Sequence, residues 1–206
     1  MNEKLNTLQK KINIKFKNLN TLKKSITHKS YDPINNYEKL EFLGDRILGF
    51  VISKKLIELY PNEKEGILDK KLASLVNKNK CLEVARIIGL EKFILVGNNS
   101  LKNKVENKIV ADSIEALIGA IFYDKGLETS EKFILNMWKS FIRSSEETII
   151  DPKTKLQEFS LKKFKTLPIY KLVSRSGPKH KPKFIISVRL QDTKFFNGHG
   201  DSKKKA

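Results

Sequence analysis

Apolar residues recur at steps of three and four through residues 36–60, 63–88, 107–124 and 129–147, the period of helices that bury one face. Stop signals separate these segments. Pro61-Asn62 ends the first, Gly89 fits a C-terminal cap for the second, "GNNS" at 97–100 opens a polar loop, and Gly126 closes the helix over 107–124. Near residue 150 the pattern changes. "DPKTKLQEFSLKKF" starts a new capped helix, whereas "IYKLVSR", "KFIISVRL" and "TKFFNGHG" read as strands separated by "SGPKHKP" and "QDT". The expected architecture is an all-α domain over 1–148, a linker over 149–152 and a small α+β domain over 153–206.

One helix breaks its own pattern. In "NYEKLEFLGDRILGFVISKKLIELYP", Glu38, Glu41 and Asp45 interrupt a run of Leu40, Phe42, Leu43, Ile47, Leu48, Phe50 and Val51. On a helical wheel Glu41 and Asp45 stand about 40° apart, and Glu38 lies about 60° from Glu41 and about 20° from Asp45. All three share a face, where like charges repel and apolar neighbours add a desolvation cost. A second acidic pair, Asp112 and Glu115, sits three residues apart in "KIVADSIEALIGAIFYDKG". If the two helices pack face to face, four or five carboxylates converge, an all-oxygen set suited to Mg²⁺ or Mn²⁺. Such a site can supply a metal-activated water and stabilise the leaving oxygen in phosphodiester hydrolysis. Acids at these spacings also form solvated faces or pair with lysines of a neighbouring helix. Gly44, inside the helix at a cost of roughly 1 kcal/mol relative to Ala, points to close approach of another backbone.

Charge adds a partner. The chain carries 41 Lys plus Arg against 23 Asp plus Glu, a formal net charge of +18, as expected for a protein that meets nucleic acid or an anionic membrane. Residues 151–206 hold 15 of the basic residues and 4 of the acidic ones, so the tail is the more basic part. "MNEKLNTLQKKINIKF" lacks the apolar core of a secretory signal, and no apolar run approaches the ~18 residues of a membrane span, so a soluble cytoplasmic protein is expected. The single cysteine, Cys81 in "CLEVARII", reads as a small buried hydrophobe. His28 reads as a structural hydrogen-bonding residue, and Trp138, at helical spacing with Phe133, Ile134, Met137 and Phe141, as core.

"YEKLEFLGDRIL" closely resembles the signature of the bacterial ribonuclease III family, "ADSIEALIGAIFYDKG" resembles its second acidic motif, and "ITHKSY" at 26–31 resembles a third segment. The region 151–206 resembles the family's double-stranded-RNA-binding domain. The resemblance implies an all-α endonuclease domain followed by a small α-β-β-β-α domain whose last helix is incomplete at Ala206. It also implies divalent-metal-dependent cleavage of double-stranded RNA, with Mg²⁺ as the ion, Mn²⁺ as a substitute, and processing of rRNA precursors and other RNAs as the task.

Position by position, the resemblance makes Glu41, Asp112 and Glu115 metal ligands and Asp45 and Glu115 catalytic, with Glu38 and Glu65 as further acids of the cleft. It implies a homodimer, in agreement with Phe42, Leu43 and Gly44 as a close-packing surface, here expected to face the other subunit. RNA contacts fall at Thr154, Gln157 and Glu158 on the first tail helix, His180 in its loop, and Lys203 and Lys204 at the start of a second helix. Lysines there would meet phosphates with sequence-independent, salt-sensitive affinity. The alternative is a non-catalytic double-stranded-RNA-binding dimer, against which the intact carboxylate set speaks.

Overall fold

The computed structural model describes residues 2–97, 105–144, 152–178 and 182–203, which fall into two compact units, Met1–Thr148 and Ile149–Ala206. In the first unit the described helices are α1 (Asn2–Ile12), α2 (Leu19–Ser25), α3 (Glu38–Leu59), α4 (Glu65–Val76), α5 (Lys78–Ile88), α6 (Asn107–Lys125), α7 (Leu127–Met137) and α8 (Lys139–Ser144). α6 is the axis of this unit. Every residue from Ile109 to Ile121 is buried, because α2, α3, α5 and α7 all pack against it. A helix wrapped on all sides needs apolar residues all round, which explains why "IVADSIEALIGAI" has so weak a polar face. Its two acids, Asp112 and Glu115, are buried with the rest, at 5% and 3% exposure.

The α3–α6 contact depends on two glycines. A Cβ on Gly44 would lie 2.6 Å from the Glu115 carbonyl carbon and 2.8 Å from the Gly119 nitrogen; one on Gly119 would lie 3.0 Å from both the Leu40 carbonyl carbon and the Gly44 nitrogen. The two backbones therefore touch directly, and no larger residue fits at either crossing position. The close helix pair expected at Gly44 is present. Its partner, however, is α6 of the same chain, so Gly44 is not available at a subunit surface; only Phe42, 67% exposed, and half-buried Leu43 remain accessible from that trio.

Two helices expected to be continuous are broken. The segment over 63–88 divides at Asn77, whose extended backbone (φ −71°, ψ 161°) ends α4 while its side chain accepts a hydrogen bond from the Lys80 amide (3.1 Å) to cap α5. The segment over 129–147 divides at Trp138, which is fully buried and donates Nε1–H to the Leu75 carbonyl (2.9 Å). Gly89 closes α5 in the left-handed conformation (φ 70°), its amide donating to the carbonyls of Ala85 and Arg86. No helix among the described residues is long and apolar enough to cross a membrane.

The second unit contains α9 (Pro152–Phe164) and an antiparallel sheet in the order β1 (Ile169–Ser176), β2 (Lys183–Arg189), β3 (Phe196–Gly200). Ile169 pairs with Arg189 and Val188 with Phe196, and the β1 register shifts between Leu172 and Ser174. Buried Ser160 fastens the end of α9, donating its hydroxyl to the Thr166 carbonyl (2.7 Å). The strands and their order match the sequence reading. The expected second helix, starting at Lys203 and Lys204, falls largely outside the described residues.

Candidate active site

Because Gly44 and Gly119 bring α3 and α6 into backbone contact, Glu41 on one helix comes beside Asp112 and Glu115 on the other. Each offers one carboxylate oxygen, and the three atoms lie within 4.8 Å of one another. One cation could bridge all three. Two of the three, Glu41 and Glu115, line an open cleft of about 430 Å³ together with Glu38, Phe42, Asp45 and Lys78. A second cavity of about 280 Å³ reaches Glu41 and Asp112 past His28, Tyr37 and Lys108.

A lysine already engages the carboxylates. Lys78 Nζ donates to Asp112 Oδ1 (2.5 Å), Glu115 Oε2 (2.8 Å) and Glu41 Oε1 (3.2 Å). Burial works against its charge, but hydrogen bonds to Asp112 and Glu115 hold its pKa well above the ordinary lysine value. Sequence reasoning missed this residue, although a signal exists. Lys78 opens α5, where the positive end of the helix dipole disfavours a cation, so its charge serves something other than the helix. Cys81, one turn further on and fully buried, places Sγ 3.5 Å from Glu115 Oε1. Burial and the Glu115 charge push its thiol pKa far up, which fits a packing residue better than a nucleophile.

Burial also raises the carboxyl pKa of Glu41, with the Asp112 charge adding to it and Lys78 opposing. Burial likewise raises Glu115, against hydrogen bonding and charge from Lys78. Both groups ordinarily titrate at 4.5, so the stability they contribute is fully present below that value and is lost as pH rises through the raised values. In EDTA, wild-type protein should therefore lose thermal stability relative to Glu115→Gln as the buffer moves from acid towards neutrality. A difference that stays flat with pH would contradict the assignment.

The remaining expected acids are placed differently. Asp45 lines the cleft but pairs with the adjacent Arg46 (2.7 Å) and is not one of the three clustered carboxylates. Glu38 also lines the cleft, with its carboxylate turned to Lys29 (3.0 Å). Glu65 opens α4, is exposed, and is not among the residues lining the cleft. His28 Nδ1 is 2.7 Å from Ser30 Oγ and its ring packs on Tyr37, a structural contact at the cluster's edge.

In the tail, Gln157 is half-buried and Glu158 exposed on α9, and Lys203 is exposed. Thr154 lies on α9, but its side chain, like His180 and Lys204, is outside the described residues.

Comparison with known proteins accounts for both units. A family profile described as "Ribonuclease-III-like" matches residues 18–140, and one described as "Double-stranded RNA binding motif" matches residues 152–206. The chain is 62% identical to Ribonuclease 3 of Pelagibacter ubique over 97% of its own length and 90% of that protein's. It is 41% identical to Ribonuclease 3 of a Wolbachia from Drosophila simulans, over 97% and 89%. Among solved structures it is similar to the nuclease domain of ribonuclease III from Campylobacter jejuni, with a TM-score of 0.63 and 34% identity over 65% of this chain and 94% of that one. With the helical unit and the basic α+β tail both matched, the chain belongs to the ribonuclease III family of endoribonucleases that cleave double-stranded RNA.

Proposed function

We propose that Glu41, Asp112 and Glu115 hold a divalent ion, Mg²⁺ with Mn²⁺ able to substitute, and that this site hydrolyses the phosphodiester backbone of double-stranded RNA. The observation that carries the reading is the convergence of three carboxylate oxygens within 4.8 Å, with Glu41 and Glu115 lining one open cleft and Glu41 and Asp112 the cavity beside it. The donor set fits: hard oxygen ligands from two rigid helices suit a hard divalent cation that keeps positions open for water and phosphate. When bound, the ion supplies positive charge at the phosphate and lowers the cost of forming the nucleophile from water. The chain's own residues orient that chemistry. Glu115, anchored on buried α6 beside Cys81, and Asp45, which lines the cleft, are the catalytic groups of this proposal.

The division of labour follows the sequence: a catalytic domain over 1–148, a linker over 149–152 and an RNA-holding domain over 153–206. Gln157, Glu158 and Lys203, with Thr154, His180 and Lys204, belong to the RNA-binding part of this proposal, as do Glu38 and Glu65 to the acidic cleft. Precursor rRNA and other structured transcripts in the cytoplasm are the proposed substrates.

Self-association through α3 is part of the same reading. Phe42, Phe50 and Ile57 are 67%, 54% and 59% exposed, and a Cβ on Gly49 would meet nothing within 4 Å beyond the adjoining backbone of its own helix. Large apolar groups repeated along one helix favour burial against a second copy. Replacing Phe42 with Glu should weaken self-association at least roughly tenfold, about 1.4 kcal/mol, and lower cleavage with it. Sedimentation of wild type and variant at matched concentrations checks this; an unchanged mass would remove Phe42 from the interface. The reading as a whole is tested by incubating duplex RNA with the protein in EDTA and in Mg²⁺.

A further inference from the structure

Among the described residues Lys78 is the partner common to Glu41, Asp112 and Glu115, and it contacts an oxygen of each. It lines the open cleft beside Glu41 and Glu115. Its side chain is 52% exposed, whereas those of Glu41, Asp112 and Glu115 are 25%, 7% and 4% exposed, so the ammonium is the member of the set that borders solvent. Its place in the first turn of α5 gives it no stabilising interaction with the helix dipole. A lysine ammonium is a compact point charge on a flexible four-carbon stem, able to neutralise a carboxylate cluster yet free to withdraw.

We propose that Lys78 is a built-in counter-ion that competes with the divalent ion for the same three carboxylates, and so sets the ion concentration at which the site loads. This inference rests on the reading of the cluster as an ion site. A divalent ion reaching these oxygens must first displace the ammonium, because both charges need the same lone pairs and repel each other at that separation. Its apparent affinity is then reduced by the fraction of molecules in which Lys78 has swung aside. The arrangement holds three repelling acids in place for loading, and withdrawal of the lysine leaves a cation at the mouth of the cleft that receives the RNA backbone.

The test is Mn²⁺ binding without RNA, followed by loss of the free-ion paramagnetic resonance signal, in wild type, Lys78→Met and Glu115→Gln. Lys78→Met should bind Mn²⁺ more tightly, by about tenfold if the ammonium occupies the cluster in about nine molecules of ten. The same variant should melt lower in EDTA and show a larger rise in Tm on adding Mn²⁺ than wild type does. Equal or weaker Mn²⁺ binding by Lys78→Met overturns the proposal. Wild-type binding that is lost in Glu115→Gln keeps the ion-site reading independently of Lys78, whereas no binding by wild type removes both.

Should Lys78→Met fail to fold, the wild-type protein still decides. The Lys78 ammonium resonance, assigned by its disappearance in Lys78→Arg, should move towards the position of a free lysine as Mg²⁺ is added. A resonance unmoved under Mg²⁺ concentrations that support cleavage overturns the proposal.

Discussion

Glu115→Gln is expected to lower the cleavage rate of double-stranded RNA at saturating Mg²⁺ by at least about 10³-fold, equivalent to roughly 4 kcal/mol of lost transition-state stabilisation. The change keeps shape and hydrogen-bonding capacity while removing one negative charge from a side chain that is 4% exposed and fixed on the central helix. Folding should survive, because the substitution relieves repulsion within the cluster and leaves Lys78 paired with Asp112 and Glu41. Duplex-RNA affinity, carried largely by the basic tail, should change little. Single-turnover cleavage and a gel-shift assay on the same preparation separate the two effects. Loss of binding in parallel with cleavage would mean that Glu115 matters for structure; retained cleavage would remove it as an ion ligand.

Gly44→Ala should have the largest effect on stability. The added methyl group would sit 2.6 Å from the Glu115 carbonyl carbon and 2.8 Å from the Gly119 nitrogen, and backbone cannot yield as the end of a flexible side chain can. Forcing α3 away from α6 should cost about 3 kcal/mol or more, lowering Tm by roughly 6–12 °C. It would also separate Glu41 from Asp112 and Glu115, so residual folded protein should load ions poorly. Gly66→Ala provides the contrast: its Cβ meets nothing within 4 Å, and at a helical position Ala should stabilise by roughly 0.5–1 kcal/mol. Thermal denaturation of the two variants checks the pair; similar Tm values would contradict the close crossing.

These two results probe features that were unequally legible in the sequence. The acids of α3 and α6 announced themselves because charges embedded among Leu, Ile and Val need a reason, and the three strands were visible from alternation and turn residues. Gly44 was recognisable as a point of close approach, but not what approaches it. A glycine in a helix is compatible with a neighbour from the same chain or from another copy, and only the fold shows that Gly119 answers it. The break at Asn77 was hidden because α4 and α5 bury apolar residues on both sides of it, so the hydrophobic period runs through a single extended residue without interruption.

Lys78 was hidden for a related reason. It follows that break and is brought to the acids only when α5 packs on α6, a contact across 34 residues to Asp112 and 37 to Glu115 and Glu41. Acids at these spacings can pair with lysines of a neighbouring helix, and Lys78 on α5 is such a lysine. Its three-way pairing is compatible with an ion site because the same oxygens that satisfy an ammonium also suit a divalent cation, which carries twice the charge.

The most direct test of the central claim is cleavage itself. Wild-type protein and Glu115→Gln are incubated with duplex and single-stranded RNA of the same sequence in EDTA and in Mg²⁺, and the products are sized. The expected result is internal cleavage of the duplex by wild type in Mg²⁺ alone, with the single strand spared and Glu115→Gln inactive. Duplex RNA that is bound but left intact by wild type in Mg²⁺, or cut equally well in EDTA, would contradict the account.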